Sequence, residues 1–392
     1  MKHRGWAGAA ALAVVGLCAL GAVADTPVFF GDPLPLLSLD LSGRFFDGKD
    51  EFQDVETVAD GLGPVFNNDS CAACHSNPAV GGDSDVFVTR FGTTTNGHFD
   101  PLAQFGGSLI QSQGIGVVGS CDFAGETVPP EATIVAHRKT TPLFGLGLVD
   151  SVPDKTFLLL AQLEKNVAPA TAGRVNLVDD LTTGKQAVGK FGWKAQNPNL
   201  LQFSGDAYLN EMGITNPLFP AENCPNGDCA AMATCLAGGQ LEDDGTGVTA
   251  FADFMTLLAP PGRGAITRDG SAGERVFLRI GCGACHLPAL VTGPSPVKAL
   301  NRVVFHPYSD FLLHDMGALG DGIEQGRANG REMRTAPLWG LRVRQSYLHD
   351  GSALTLDAAI LAHDGQGRFA RNRFNALSAQ DAQKLMAFLN SL

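Results

Sequence analysis

Hydrophobic residues along the 392-residue chain fall into three patterns. The first is a continuous run. After a short basic start (Met1-Lys2-His3-Arg4), Trp6 to Val23 is apolar, broken only by small residues. This is the pattern of a secretory signal, and Ala22-Val23-Ala24 fits its small-x-small cleavage rule. An uncleaved N-terminal anchor is the competing reading. No later stretch offers about 18 consecutive apolar residues, so the sequence predicts no stable membrane span after signal cleavage. The second pattern is helical. Ser271 to Ile280 puts Val276, Phe277 and Ile280 on one face and runs straight into Cys282. Ser378-Ala379-Gln380-Asp381 is a capping-box-like start. It opens a helix whose stripe of Leu385, Met386, Phe388, Leu389 and Leu392 must pack on something. Phe157 to Leu163 suggests a further helix. The third pattern is short apolar alternation, as in Thr133-Ile134-Val135-Ala136, which predicts short strands. The breaker cluster Ala259-Pro260-Pro261-Gly262 marks the boundary between two units.

Composition narrows the class. Removing the first 24 of 392 residues leaves 368, more than one ordinary domain. Lys2 and Arg4 leave with the signal, taking the formal charge from −12 to −14. Such a balance excludes nucleic acid, whose phosphates demand a basic surface, but not a basic protein partner. The 48 Gly and 22 Pro are about 18% of the chain, above the roughly 12% usual for these residues, so much of the packed protein is loop. Cys18 lies in the signal, so 8 of the 9 cysteines remain, an even number in a chain predicted to be exported to the periplasm.

Four of the eight sit in two motifs, Cys71-Ala72-Ala73-Cys74-His75 and Cys282-Gly283-Ala284-Cys285-His286. C-x-x-C-H is the attachment signature of c-type haem: each thiol adds to one vinyl group, and the adjacent His reaches the iron. A redox dithiol or half of a zinc site are the alternatives, but a redox dithiol has no need of the following His. Two copies behind a signal segment predict two covalently bound haem c groups with His75 and His286 as proximal ligands. Second axial ligands come from distant residues. His98, His137, His306, His314, His349 and His363 are candidates, as are Met212, Met232, Met255, Met316, Met333 and Met386. Cys121, Cys224, Cys229 and Cys235 remain for disulfides, with three pairings open.

A weak internal repeat follows the motifs. Arg138-Lys139-Thr140-Thr141-Pro142-Leu143-Phe144-Gly145-Leu146 trails the first, and Arg334-Thr335-Ala336-Pro337-Leu338-Trp339-Gly340-Leu341 trails the second. The predicted fold is therefore mainly α: two tandem cytochrome c-like haem domains with long loops and a few short strands. Residues 1–24 are the signal, 25–262 an N-terminal haem domain with insertions, and 263–392 a C-terminal haem domain.

These segments, with HRKTTPLFGLGLVD (137–150), FGWKA (191–195), EMGITNPLF (211–219), YSDFLLHDMG (308–317) and YLHDG (347–351), resemble the bacterial dihaem oxidoreductases. That family is a branch of the dihaem cytochrome c peroxidase superfamily. The resemblance runs from about residue 60 to the C-terminus. It implies reduction of hydrogen peroxide at the N-terminal haem, with electrons entering at the C-terminal haem. The donor would be a small redox protein such as a cytochrome c or a cupredoxin. Glu211 resembles the carboxylate that moves a proton between the peroxide oxygens, though a helix-end carboxylate beside Asn210 is its plainer reading. Gln202 resembles a pocket Gln that holds peroxide or water. Trp193 resembles a tryptophan between the haems that assists electron transfer. His363 stands where the second ligand of the C-terminal haem occurs, commonly a Met, with Met316 as runner-up. Bis-His ligation would lower the potential relative to His/Met. His349 and His314 are expected on haem propionates or backbone, and His98 as an occasional ligand of the N-terminal haem. The resemblance also brings calcium between the domains, although no acidic loop demands it. A dihaem electron-transfer cytochrome without peroxidase activity is the second reading. Oxidation of a protein or organic substrate is the third.

Overall fold

Ser38 accepts the amide of Leu41 and starts helix α1 (Leu39–Gln53), which buries Phe45, Gly48 and Phe52. The computed structural model describes residues 28–236 and 241–392, so the predicted signal at 1–24 lies outside the described residues. Cys71–Cys74 forms a single helical turn. Strands β1 (Phe87–Thr95), β2 (His98–Asp100) and β3 (Ile134–Lys139) make an antiparallel sheet with β1 in the middle. Helix α2 (Asp154–Val167) precedes the hairpin of β4 (Leu177–Asp180) and β5 (Lys185–Val188). Asn199 caps helix α3 (Leu200–Met212), and left-handed Gly213 closes it. Helix α4 (Thr246–Leu257) ends the first half. Thr267 caps helix α5 (Arg268–Ile280), which stops at left-handed Gly281, one residue before the second motif. Strands β6 (Leu313–Asp315) and β7 (Glu332–Arg334) pair antiparallel. Helices α6 (Leu356–Ala362), α7 (Arg368–Asn375) and α8 (Ala379–Leu389) complete the chain.

Two helix crossings organise these elements. At one, α1 meets α4 so closely that a Cβ on Gly48 would lie 2.3 Å from Ala250 O. At the other, α5 meets α8, and a Cβ on Gly273 would lie 1.9 Å from Lys384 O. Each motif is thus preceded by a helix that crosses a later helix at a glycine. The second crossing is the one the sequence anticipated. Its apolar residues Val276, Phe277, Ile280, Leu385, Phe388 and Leu389 form a separate core. Ser378 does cap α8 through the Asp381 amide, but the Asp381 carboxylate turns to Arg279 and Lys384 instead of completing a capping box.

The prediction of a mainly α protein is corrected. The described residues are 36% helix and 17% strand, a mixed architecture of helices with many short strands. The strands concentrate between the first motif and α3. There Asn96 and Gly97, both at positive φ, turn a β-hairpin of the kind this dipeptide favours. The larger core also does not stop at residue 262: Leu290, Leu300, Phe305, Phe311, Leu312 and Trp339 pack into it with residues of the first half. The disulfides pair Cys121 with Cys235 and Cys224 with Cys229.

Candidate functional site

The C-terminal motif opens onto a cavity of about 380 Å³ lined by Cys282, Cys285, His286 and His363. His286 Nδ1 lies 2.9 Å from Tyr308 O, and His363 Nδ1 lies 2.8 Å from Ala359 O. A carbonyl only accepts, so both Nδ1 atoms carry the proton and both Nε2 atoms stay free to ligate. The ring centroids are 6.4 Å apart. Metal–imidazole bonds of about 2 Å on either side of one atom place two rings at roughly that spacing. Burial lowers the basicity of both rings, His286 to about 4, which keeps them in the neutral, ligating form. The cavity lining is chiefly apolar, but Arg344 reaches it with a buried Nε that has no partner among the described residues. An arginine Nε left without a partner at an apolar cavity fits a group with acidic arms, such as a haem and its propionates.

The N-terminal motif is built from the other crossing. His75 Nδ1 donates to Gly82 O at 3.1 Å, again leaving Nε2 free, and Phe52 of α1 meets its ring edge-on at 5.9 Å. Burial pushes His75 down to about 4 and the Cys74 thiol up to about 11. The last turn of α3 is tied to the residues just ahead of this motif. Asn67 and Asn68 donate their amides to Glu211 O at 2.7 and 3.2 Å, and the Asn67 side chain donates to the Glu211 carboxylate at 2.8 Å. Asn68 reaches Cys74 Sγ at 3.7 Å. Burial raises the Glu211 carboxyl, opposed by the Asn67 bond and the charge of Arg90. Arg90 Nε is buried without a partner among the described residues, so this side too offers an unused cationic donor.

Residues 128–392 match the model of the family described as "Di-haem oxidoreductase, putative peroxidase". The chain belongs to this family. Cytochrome c551 peroxidase of Nitrosomonas europaea is 28% identical over 154 residues, which are 37% of this chain and 43% of that protein. The match thus spans less than half of that relative. Three solved structures align at TM-scores of 0.39, 0.39 and 0.31. The first is hydrazine synthase of Kuenenia stuttgartiensis, at 14% identity over 97% of this chain and 100% of that one. The second is a MauG-like protein associated with microbial copper homeostasis, at 16% over 95% of each. The third is the diheme peroxidase BthA of Burkholderia thailandensis, at 14% over 73% and 94%.

Within this di-haem chain, the predicted site residues do not all meet. Trp193 lines the large cavity and a smaller one of about 20 Å³ that it shares with Thr141 and Pro142. Its Nε1 donates to Lys139 O at 2.9 Å, and its ring meets His349 edge-on at 6.1 Å. Gln202 is not with Glu211. Nine positions along α3 are about two and a half turns, so the two residues point to opposite sides. The Gln202 amide is consumed by Asp179 O and the Leu181 amide, which fasten α3 to β4. His314 is also placed differently from its expected role: its Nε2 pairs with Asp310 at 2.9 Å, and its Nδ1 faces Cys285 Sγ at 3.5 Å. His98 sits in the exposed β1–β2 hairpin. Met316 lines the large cavity beside His363.

Sequence reading missed a buried ionic knot next to Trp193. The Lys194 ammonium, fully buried, donates to Asp321 Oδ1 at 2.9 Å, Asn329 O at 3.0 Å and Glu332 O at 2.6 Å. Arg138 Nε bonds the other Asp321 oxygen at 2.8 Å. These oxygens come from the second half and the cations from the first. The oxygen set is already filled by an ammonium and does not fit a calcium ion. Lys194 and Arg138 stand inside segments quoted for the resemblance, but nothing in their spacing reveals that both reach one carboxylate more than 120 residues away.

Proposed function

We propose that the protein is an exported dihaem c-type oxidoreductase that reduces hydrogen peroxide at the N-terminal site. Electrons would enter through the C-terminal site from a small redox protein, a cytochrome c or a cupredoxin. Cys71, Cys74, Cys282 and Cys285 would hold two haems by thioether bonds, with His75, His286 and His363 as iron ligands and Arg90 and Arg344 beside the propionates. The signal-like segment and the two C-x-x-C-H motifs support export to the periplasm.

One observation carries the peroxidase reading: Glu211 is held beside the first motif by three bonds from Asn67 and Asn68, with its carboxyl raised by burial. A haem held by Cys71, Cys74 and His75 would supply peroxide binding and two-electron reduction. The protein's part is proton traffic. A raised carboxyl accepts a proton from one peroxide oxygen and returns it to the departing oxygen as water. Asn67 fixes the direction of that carboxyl, and Arg90 limits how far it is raised. Trp193 spans the gap between the cavities on the electron's side.

Glu211→Gln keeps the shape and the Asn67 contact but cannot take the proton. Peroxide turnover with a reduced donor should fall about 10²- to 10⁴-fold, while haem content and reduction by the donor stay unchanged. Unchanged turnover would remove Glu211 from this role. The paired His286 and His363 favour a second reading for that half alone, a six-coordinate electron-transfer site. If the N-terminal iron proved six-coordinate as well, with a ferric electron paramagnetic resonance spectrum free of high-spin signal and no response to peroxide, the protein would be an electron carrier.

A further inference from the structure

The mouth of the C-terminal cavity has a charge opposite to that of the molecule. The chain carries −12 overall, yet Arg371 of α7 lines the cavity, Arg368 and Arg373 stand on the same helix, and Arg279 ends α5 beside Arg373, with Arg275 one turn before it on the same face. Two carboxylates answer these five guanidiniums. Asp364 pairs with Arg368 at 2.8 Å and Arg371 at 3.5 Å, and Asp381 pairs with Arg279 at 2.5 Å. Arg373 lies 4.0 Å over the Phe369 ring and donates to Arg279 O, so α7 is fastened to the end of α5. Beside the second motif, Leu278 and Phe369 are 49% and 53% exposed, Leu278 against Gly283 of the motif and Phe369 against Gly281 just before it. Phe369 itself lines the cavity. Two large apolar side chains thus stand about half exposed beside the second motif, among cations.

We infer that this rim is the docking surface for an acidic redox protein, such as an acidic cupredoxin. The inference rests on the reading above, in which the C-terminal site receives electrons. The step is the passage of one electron: the donor metal is oxidised by one unit, the C-terminal haem is reduced by one, and no bond forms or breaks. A small apolar contact suits the low end of interface sizes, where transient redox partners sit. The cationic ring speeds encounter with an anionic partner, typically 10- to 10³-fold at low salt, and loses that advantage as salt screens it. It also repels the basic donors that the net charge of −12 alone would favour.

The test uses the holoprotein without peroxide, so its outcome is independent of Glu211. Stopped-flow reduction of the C-terminal haem is followed with a reduced acidic cupredoxin, a reduced basic cytochrome c and neutral hydroquinone. The acidic donor should react faster than the basic one at low ionic strength and lose that lead at high salt. In R275E/R279E its rate constant should fall at least about tenfold, with the hydroquinone rate unchanged. Chemical-shift changes in a ¹⁵N-labelled acidic cupredoxin on titration with the holoprotein should disappear in the same variant. Should the reversal disturb α5, R275Q/R279Q decides: a fall for the acidic donor alone supports the inference, and an unchanged rate overturns it. A basic donor that reacts as fast as the acidic one overturns it too. So does binding to phosphatidylglycerol vesicles with no response to the acidic donor. A protein that takes electrons from the acidic donor but ignores peroxide keeps this inference and loses the peroxidase reading.

Discussion

Replacing Gly48 by Ala should destabilise the protein, although alanine is the better helix former. In an exposed helix the exchange would gain about 1 kcal/mol. At Gly48 the new methyl would lie 2.3 Å from Ala250 O and 3.1 Å from Phe254 N, all backbone of α4. Ordinary contact begins near 3.4 Å, so α1 and α4 must separate by about 1 Å. That separation loosens Phe45, Phe52, Phe251 and Phe254, which pack across the crossing. Overpacking of this kind costs about 1–3 kcal/mol, enough to cancel the helical gain and reverse the sign. Gly43, one and a half turns earlier in α1, has nothing within 4 Å of its would-be Cβ. Gly43→Ala should therefore raise the urea midpoint of the holoprotein while Gly48→Ala lowers it. Because Phe52 rests on His75, the Gly48 variant should also disturb the spectrum of the N-terminal haem and spare the C-terminal one. Gly273→Ala should do the reverse, at a crossing where the methyl would meet Lys384 O at 1.9 Å. A rise in midpoint for Gly48→Ala equal to that for Gly43→Ala would refute the close-crossing argument.

Three further changes test other parts of the structure. Asp321→Asn leaves Lys194 and Arg138 buried without their carboxylate and should cost about 3–5 kcal/mol in denaturant unfolding. Burial favours the protonated Asp321, but the two cations outweigh it and hold its pKa below the usual value. Its stabilisation is therefore present above the unfolded carboxyl pKa of about 3.9 and lost as pH falls through the lower folded value. The variant should lose that portion of the acid dependence below about pH 4. His363→Met should raise the C-terminal reduction potential in a spectroelectrochemical titration, since thioether ligation stabilises the ferrous form. His363→Ala should let Met316 take its place, because the Met316 methyl and the His363 ring both crowd the same point beside Gly367. Breaking Cys121–Cys235, whose partners are 114 residues apart, should cost about 2–4 kcal/mol, and breaking Cys224–Cys229, 5 apart, less, as the midpoints of the two double-serine variants will show.

The second crossing was readable because α5 runs directly into Cys282 and α8 carries an unbroken apolar stripe. The first was not. Between α1 and Cys71 lie 17 residues, and α4 begins 175 positions after Cys71, so no local pattern joins them. The β1–β2 hairpin was signalled by Asn96-Gly97 after the run Thr93-Thr94-Thr95, a turn preference independent of any haem motif. Glu211 was singled out by resemblance alone, and its setting depends on Asn67, which no motif contains. Gln202 shows the opposite failure. Spacing within a segment was carried over without asking which side of a helix it implied, and nine positions put it half a turn away from Glu211. Lys194, Asp321 and Arg138 were invisible for a simpler reason: a buried charge reads in sequence like any surface charge, and only its partners distinguish it.

The two sites differ in what faces the proximal histidine, and this asymmetry gives the proposed direction of electron flow a physical basis. Near His286 stands His363, its Nδ1 anchored to a helix carbonyl, so in the proposed reading the C-terminal pocket would bring its own second ligand. A site closed on both sides suits electron transfer, since neither ligand has to leave. Beside the first motif stands a carboxyl whose pKa is raised by burial, together with Arg90, whose Nε has no partner among the described residues. A carboxyl is a poor axial ligand for low-spin iron but a good proton carrier, so the first site is equipped for chemistry at an open position. The cationic rim lies at the His286–His363 cavity, where the proposed donor would arrive, and Trp193 lines both that cavity and the smaller one beside Thr141.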